Sequence, residues 1–293
     1  MNYYEDIKKE LINNEINRKV KTYTINKSDL TTYYNVGKML SKAGKCYGES
    51  IISEYSKKLT SELGKGYTET NLKYFRMFYY FAIRHTLCDE LTWSHYRTLL
   101  SIKNKDEINY YINICKYQNL SVRELRNKIK NKEYERLDEE TKNKLTNNEK
   151  LNLKDNIKNP ILIKNIHNYT EITEKILQKL VLEDISSFMK ELGYSFSFID
   201  NEYKIKIGDR YNYIDLLLFN IEFNCYVVVE LKITELKKEH IGQIQVYMNY
   251  IDKNLKKINQ DKTIGIIICK KENKYVIEYS SDARIVARTY ELL

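Results

Sequence analysis

Two short apolar runs near the C-terminal end of the chain predict a β-hairpin. Residues 214–219 and 226–232 are rich in β-branched, aromatic and aliphatic side chains, and the residues between them fit a hairpin loop. Because side chains alternate along a strand, Glu230 and Lys232 share one face of the second strand, and Asp215 lies in the first. Charges at the end of a buried strand need one another or a metal ion, since uncompensated burial is costly.

Helices are predicted on both sides of this hairpin. In the helix that follows it, apolar residues recur at helical spacing, and Gln243 and Tyr247 lie one turn apart on another face. A helix over residues 171–192 precedes the first strand, and its residues Glu174 and Gln178 project near the buried arc. Polar residues in that sector either take part in binding a metal ion or simply lie at the edge of the core face.

Further apolar segments complete the pattern of an α/β domain. Residues 263–269 form a continuous apolar run that predicts a central strand, and residues 275–279 and 285–287 predict later strands. The order of helix, strands, helix and strands predicts a mixed sheet flanked by helices.

The first half of the chain predicts helices over residues 31–40, 50–63 and 69–84, with a glycine-containing turn between the last two. A helix, a turn and a basic aromatic helix are typical of helix-turn-helix DNA-binding modules, although a plain helical pair fits the same pattern. The polar side of the third helix carries three candidate DNA contacts, Asn71, Lys73 and Arg76.

The net charge of +9 lies almost wholly in the first half. Residues 1–150 hold 28 lysines and arginines against 20 acidic residues, whereas the remainder holds 21 against 20. A DNA backbone would be attracted to the basic half through counterion release. A capped helix that begins near Ser121 adds two candidate contacts, Arg123 and Arg126. A lysine-rich surface without a nucleic-acid partner is the alternative.

Length and composition favour an intracellular protein of two domains. The 293 residues exceed the usual size of one domain, and 30% charged with 42% hydrophobic residues is typical of globular chains. No apolar stretch reaches the roughly 18 residues of a membrane span and no signal-peptide pattern opens the chain, so we expect a cytoplasmic location. Five cysteines without a C-x-x-C pair favour reduced thiols over a zinc site or disulfides.

The acids of the hairpin predict a site for a hard divalent cation. Asp215 and Glu230 offer carboxylate oxygens to Mg²⁺ or Mn²⁺, and Lys232 could activate a water or stabilise charge on a phosphate. A surface Glu-Lys pair is the alternative for an isolated E-x-K triplet. The apolar run before Glu230, the aspartate in the adjacent strand and the helix that follows favour the metal site.

The pattern Asp-x14-Glu-x-Lys followed by Gln-x3-Tyr resembles the PD-(D/E)xK nuclease superfamily. The spacing of Glu239, Gly242, Gln243 and Tyr247 resembles its YhcG-like branch. Strings in the first half resemble the N-terminal domain that accompanies these nucleases: Gly37, Tyr47-Gly48, residues 64–67, Asn71-Leu72, residues 91–95 and residues 125–136. The resemblance therefore covers nearly the whole chain.

The resemblance implies a role for each candidate residue. Asp215 and Glu230 would be metal ligands, Lys232 an electrostatic activator, and Gln243 and Tyr247 would position the site or the phosphate.

A glutamate from the preceding helix helps to hold the metal in the resembling family, and this chain has Gln178 at that position. Glutamine can ligate through its oxygen but brings no charge, which would weaken the ion site. Glu174, one turn earlier, could substitute, so either Gln178 or Glu174 is the expected third ligand.

The sequence therefore predicts a Mg²⁺-dependent or Mn²⁺-dependent nuclease that hydrolyses phosphodiester bonds of DNA. A helical, winged-helix-like DNA-binding domain over residues 1–136 and a linker over 137–160 precede a restriction-endonuclease-like α/β domain over 161–293. The expected partners are DNA, further copies of the chain or other defence or repair proteins, and no membrane. Two alternatives stay open: a DNA-binding or scaffolding protein with a decayed site, and action on RNA.

Overall fold

Helices build the described residues of the first part of the chain, and a β-sheet organises the second part. The boundary between these two units lies between Asn131 and Lys132. The computed structural model describes residues 3–19, 25–85, 91–278 and 282–293.

The first unit contains α-helices and, in its described residues, no strand. The predicted helices 50–63 and 69–84 are confirmed, and the predicted helix 31–40 is the middle of a longer one. A β-wing is therefore not found in the part of this unit that the structure describes. The helices are α1 (Tyr3–Lys19), α2 (Ile25–Tyr47), α3 (Ser50–Leu63), α4 (Glu69–Arg84), α5 (Trp93–Leu99), α6 (Lys105–Gln118) and α7 (Val122–Lys130).

Local signals in the sequence start these helices and bring them together. The Thr68 hydroxyl accepts a hydrogen bond from the Asn71 backbone amide at 3.4 Å and so caps α4. Helices α2 and α4 approach closely at Gly37, where an added Cβ would lie 2.1 Å from the backbone oxygen of Phe75. The ring of Tyr33 stacks on Phe75 with the centroids 4.3 Å apart. Glycine at position 37 thus permits the tightest contact of this helix pair.

A mixed six-stranded sheet organises the second unit, in the order β1-β6-β5-β4-β3-β2. The strands β2, β3 and β4 are antiparallel neighbours, whereas β4, β5, β6 and β1 are parallel neighbours. The predicted α/β class, the hairpin and the central strand are confirmed. The strands are β1 (Ile161–Ile163), β2 (Phe196–Ile207), β3 (Arg210–Asn220), β4 (Cys225–Leu231), β5 (Asp261–Cys269) and β6 (Ile285–Leu292).

Helices cover both faces of this sheet. Leu177 and Phe188 share one buried cluster with Val229, and Ile244 shares a second cluster with Val228. Alternate residues of β4 thus point into two cores, which explains why the strand is an uninterrupted apolar run. The helices of this unit are α8 (Glu139–Thr146), α9 (Glu174–Glu183), α10 (Ile185–Leu192), α11 (Lys238–Asn254) and α12 (Lys274–Glu278).

The predicted single helix over residues 171–192 is wrong, because the chain forms two helices that meet at Asp184. The backbone of Asp184 is not helical (φ −131°, ψ 50°), and its carboxylate accepts a hydrogen bond from the Ser187 amide at 3.2 Å. An acid in the middle of the apolar pattern thus caps α10.

The predicted strand over residues 275–279 is also wrong, because its described residues form the short helix α12. The Asn273 side chain accepts a hydrogen bond from the Val276 amide at 3.4 Å and favours a helical turn. Tyr279 and Cys88, which the sequence patterns included, lie outside the described residues.

The segment that the sequence predicts as a linker, residues 137–160, contains α8 and belongs to the second unit. Leu137 and Ile157 are buried. Just before the segment, Arg136 forms an ion pair with Glu191 of α10.

The described cysteines form no disulfide; Cys115, Cys225 and Cys269 are buried and Cys46 is exposed. Burial raises the pKa of the Cys225 thiol to about 12. Among the residues that the structure describes, no helix is both long enough and apolar enough to cross a membrane.

Gly265 sets the distance between β5 and α11. An added Cβ at this position would lie 2.6 Å from the sulfur of Met248 and 2.9 Å from Cδ1 of Ile244. The helix that carries Gln243 and Tyr247 is therefore seated directly on the backbone of the central strand.

We expect Gly265→Ala to lower the free energy of unfolding by about 1–3 kcal/mol, because the added methyl group must displace Met248 and Ile244. Gly242→Ala in α11 is the matched control, since an added Cβ there meets nothing within 4 Å. Its higher helix propensity should raise stability by about 0.5–1 kcal/mol. Urea and thermal unfolding measure both variants, and equal stabilities would contradict the packing role of Gly265.

Candidate active site

Strand β3 leaves its partner β4 at Asp215. The ladder between these strands ends with the pair Leu216 and Val229. At the next position, Oδ2 of Asp215 accepts a hydrogen bond from the backbone amide of Leu231 at 2.7 Å. A side chain thus continues the pairing where the backbones separate, and it holds Asp215 close to Glu230.

Strand β4 continues past this point along β5 and carries Glu230 into the interior. The Glu230 side chain is 2% exposed. Its Oε2 accepts a hydrogen bond from Nζ of Lys232 at 3.2 Å, whereas its Oε1 is buried and has no hydrogen-bond partner among the residues that the structure describes. Because buried polar atoms are normally satisfied, this oxygen marks a place for a ligand.

Burial and like charge govern the titration of the site. Burial, followed by the charge of Asp215, raises the pKa of Glu230 to about 8. Burial also raises the pKa of Asp215, against the hydrogen bond from Leu231. Burial acts to lower the pKa of Lys232, but the charges of Glu230, Asp215 and Glu174 outweigh it and the pKa rises. One lysine faces several acids, so the site favours additional positive charge.

Asp215 and Glu230 fit a hard divalent cation. They supply carboxylate oxygens, one of them unsatisfied, and a cation between them would relieve their mutual repulsion. Across the residues that the structure describes, no group of three or more His, Cys, Asp or Glu side chains could hold a metal ion. Further ligands would therefore be water, backbone or amide oxygens and the substrate, which Mg²⁺ commonly accepts.

Helix α11 brings Gln243 and Tyr247 near the acids. Nε2 of Gln243 donates a hydrogen bond to the Tyr247 hydroxyl oxygen at 3.0 Å. The hydroxyl proton of Tyr247 is therefore not used in this bond. Burial raises the pKa of Tyr247; the bond from Gln243 opposes this, and the charge of Glu230 adds to it. Tyr247 is thus a protonated donor at neutral pH.

His240 is a site residue that the sequence patterns did not single out. It lies three residues before Gln243 and seven before Tyr247, which places all three on one side of α11. Its Nδ1 accepts a hydrogen bond from the Lys237 amide at 3.2 Å. Burial, followed by the charge of Lys232, lowers the pKa of His240. The helical spacing from Gln243 was the available signal.

Helix α9 brings Gln178 and Glu174 to the site in different ways. Nε2 of Gln178 donates a hydrogen bond to the backbone oxygen of Asp215 at 3.4 Å. Glu174 is exposed in the first turn of α9, and its charge acts on Asp215, Lys232 and His240. Gln178 therefore supports the strand, whereas Glu174 contributes a long-range charge.

The candidate DNA contacts of the first unit differ in how they are engaged. In α4, each of the three candidate side chains already has a hydrogen-bond or ion-pair partner within the unit. Arg123 and Arg126 of α7 are exposed, and among the described residues neither side chain has a hydrogen-bond or ion-pair partner. The α4 pairs are Asn71 with the Gly66 carbonyl at 2.8 Å, Lys73 with Glu69 at 2.6 Å and Arg76 with Glu49 at 2.6 Å.

Two family models match the chain and together cover most of it. The model of the DUF1016 N-terminal domain matches residues 7–136. The model of the YhcG PDDEXK nuclease domain matches residues 154–292, which include every candidate residue of the acid site. Both parts of the chain are therefore similar to YhcG-like PDDEXK nucleases, and the resemblance seen in its motifs is confirmed.

A relative from Escherichia coli (strain K12), named "Putative nuclease YhcG", is 24% identical over 302 residues, which cover 88% of this chain and 80% of the relative. Among solved structures, a repair endonuclease from Pyrococcus abyssi matches with a TM-score of 0.30 and 16% identity over 43% of this chain and 49% of that chain. The EndoMS-dsDNA2 complex matches with a TM-score of 0.29 and 18% identity over 43% and 48%. The chain spans about half the length of these solved structures.

In EDTA, we expect Glu230→Gln to raise the thermal midpoint of unfolding. The pKa of Glu230 rises from 4.5 to about 8 on folding, so the wild type loses stability as the pH rises through this window. The neutral glutamine avoids that loss, and its advantage should therefore grow from pH 4.5 to pH 8.

Lys232→Met is the control of opposite sign, because it removes the cation that compensates the acids and should lower the midpoint. Differential scanning fluorimetry across this pH range measures both variants. A Glu230→Gln midpoint that stays below wild type throughout would show that the acid pair is not under electrostatic strain.

Proposed function

We propose that this chain is a divalent-metal-dependent nuclease that hydrolyses phosphodiester bonds of DNA. The observation that carries the proposal is the buried, unsatisfied Oε1 of Glu230, which lies near Asp215 and Lys232 where β3 separates from β4. The match of residues 154–292 to the YhcG PDDEXK nuclease domain supports the reaction class. Defence against foreign DNA and DNA repair are the roles that such an activity would serve.

Asp215 and Glu230 would hold Mg²⁺ or Mn²⁺. When bound, the cation supplies Lewis acidity, which polarises the phosphate and lowers the pKa of a water. The amide of Leu231 fixes the Asp215 carboxylate, and Lys232 fixes the Glu230 carboxylate. Both acids are therefore oriented before a substrate arrives, which reduces the reorganisation needed during the reaction.

Lys232, Gln243 and Tyr247 would act on the scissile phosphate. The raised pKa of Lys232, which its acidic neighbours produce despite burial, keeps the ammonium charged. It can therefore stabilise negative charge that develops on phosphate oxygens. Gln243 holds the Tyr247 hydroxyl, whose proton can be donated to a phosphate oxygen. Gln178 supports the backbone of Asp215.

We expect the full chain to cut plasmid DNA with Mg²⁺ or Mn²⁺ and to be inactive in EDTA. Lys232→Ala and Glu230→Ala should each lower the cleavage rate by about 10²-fold or more, the typical loss when an electrostatic contact to the reacting group is removed. Lys253→Ala, an exposed lysine at the end of α11, is the matched control and should cut normally. Gel assays measure the rates, and circular dichroism checks the fold.

Several outcomes of this assay would decide against the proposal. Unchanged cleavage in EDTA would contradict the dependence on a metal ion. Wild-type rates for Lys232→Ala would contradict the assignment of the site. A chain that binds DNA but cuts neither DNA nor RNA would support the alternative of a scaffolding protein with a decayed site, for which Gln178 in place of an acid is the reason. Faster cleavage of an RNA of matched sequence would replace DNA by RNA as the substrate.

We assign the binding of duplex DNA mainly to the first unit. Residues 1–131 carry 23 lysines and arginines against 14 acids, whereas residues 132–293 carry 26 of each. Arg123 and Arg126 can bind phosphate without giving up an internal ion pair. In α4, binding through Arg76 would first release Glu49.

We therefore expect Arg123→Ala and Arg126→Ala each to weaken duplex binding and to reduce the slope of log K against log salt by about 0.9. Arg76→Ala should have a smaller effect, because its charge is already compensated by Glu49. Fluorescence anisotropy between about 50 and 200 mM salt, in EDTA, measures the slopes. Unchanged slopes for both α7 variants would place the phosphate contacts elsewhere.

A further inference from the structure

Strands β2 and β3 extend beyond the rest of the sheet as a two-stranded ribbon. Strand β3 pairs with β4 from Leu216 onward, whereas its pairing with β2 continues to Arg210. The ribbon therefore comprises residues 203–207 of β2 and 210–214 of β3, and it begins directly beside Asp215.

One side of the ribbon packs on the domain and the other is open to solvent. Ile205 and Ile214 lie in the core cluster that includes α11. Because side chains alternate along each strand, the residues on either side of Ile205, and Tyr213 with Tyr211 in β3, point to the opposite side. The ribbon face, as we call that side, consists of four exposed residues: Lys204, Lys206, Tyr211 and Tyr213.

The two tyrosines of the ribbon face are unusually open for aromatic side chains in a sheet. Tyr211 exposes 56% and Tyr213 exposes 52% of its surface. Nζ of Lys204 lies 3.9 Å and Nζ of Lys206 lies 6.0 Å from the centroid of the Tyr211 ring. An exposed ring beside ammonium groups is suited to bind a base and a phosphate together.

The ribbon face leads along β3 to the candidate active site. Tyr211, Tyr213 and Asp215 are alternate residues of the same strand, and Tyr213 is the nearer of the two tyrosines to Asp215 along the chain. At about 3.3 Å per residue, Tyr213 lies roughly 6.6 Å and Tyr211 roughly 13 Å from Asp215 along the strand. Glu202, whose charge acts on Asp215, lies in β2 just inside the ribbon. Lys204 and Lys206 thus lie farther out along β2 than Glu202.

We propose that the ribbon face binds unpaired nucleotides of the DNA substrate and guides that strand to Asp215 and Glu230. Tyrosine rings can stack on bases where those bases are not already stacked within a duplex, and the lysines complement the phosphates. The inference rests on the proposed function and gives it a substrate class: DNA with a single-stranded segment next to the cut.

A role confined to the hairpin itself makes a different prediction. Cross-strand Lys-Tyr pairs stabilise a hairpin, and lysines on an outer strand prevent pairing with another sheet. In that case the tyrosines would affect the stability of the fold or the oligomeric state, and not the affinity for oligonucleotides.

The test measures binding of the full chain to a fluorescent single-stranded oligo-dT and to a blunt duplex of equal length, in EDTA. Tyr211→Ala and Tyr213→Ala should each weaken single-strand binding by about 5-fold to 150-fold, with little change for the duplex. Tyr211→Phe and Tyr213→Phe should bind normally, because the ring is kept. Tyr275→Ala is the matched control, since Tyr275 of α12 is 74% exposed and lies outside the ribbon.

Unchanged single-strand affinity in both alanine variants would overturn the inference, as would equal losses for single strand and duplex. A change in oligomeric state without a change in affinity, measured by sedimentation, would instead make the face a contact between copies and also overturn it. Since binding is measured without cleavage, failure of this inference can be distinguished from failure of the proposed function. Loss of single-strand binding in a chain that never cuts would sink the proposed function and keep the ribbon face.

Discussion

The candidate active site depends on a hydrogen bond from the Leu231 backbone amide to the Asp215 carboxylate. Because this side chain continues the pairing of β4, it cannot turn away without leaving an amide unsatisfied. Asp215 is therefore fixed beside Glu230, although two buried acids repel one another. Lys232 compensates that repulsion only in part. Burial, followed by the charge of Asp215, still raises the pKa of Glu230. The demand for a cation follows from this arrangement.

The sheet explains why the repulsion cannot simply relax. Both faces of β4 are covered, and Glu230 itself is buried, so its carboxylate is held among packed side chains. Gly265 brings α11 against β5, which limits movement on the side of Gln243 and Tyr247. Moreover, the second unit has no net charge of its own, while the first carries +9. The proposed attraction of a polyanion and the proposed binding of a cation would thus fall in different parts of one chain.

Much of this unit could be predicted from sequence, because its signals are local. Period-two alternation placed Glu230 and Lys232 on one face, and period-3.6 spacing placed Gln243 and Tyr247 on another. The hydrogen bond between Asp215 and the Leu231 amide could not be predicted from sequence, since no local pattern shows where two paired strands separate. The same limit applies to the cap at Asp184, which overrides the helix that its flanking apolar residues predict.

In the first unit, the pattern gave the helices α3 and α4 but not the state of their charges. Whether Arg76 is available depends on Glu49, which lies 27 positions away in the chain and meets it through the fold. The sequence shows that a helix is basic, but only the structure shows which of its charges are compensated; Arg76 of α4 has an acidic partner, whereas Arg123 of α7 has none among the described residues.

The ribbon has a consequence for amide hydrogen exchange. In β4, the backbone at Val229 is paired on both sides, to β3 and to β5. The backbone amides of this part of β4 should therefore exchange only through opening of the whole domain. At Tyr211 and Tyr213, β3 pairs with β2 alone, and local opening there costs far less. Protection should therefore fall along the single strand β3, from its interior end toward its tip. The backbone that carries Glu230 should therefore open less often than the backbone that carries Tyr211 and Tyr213.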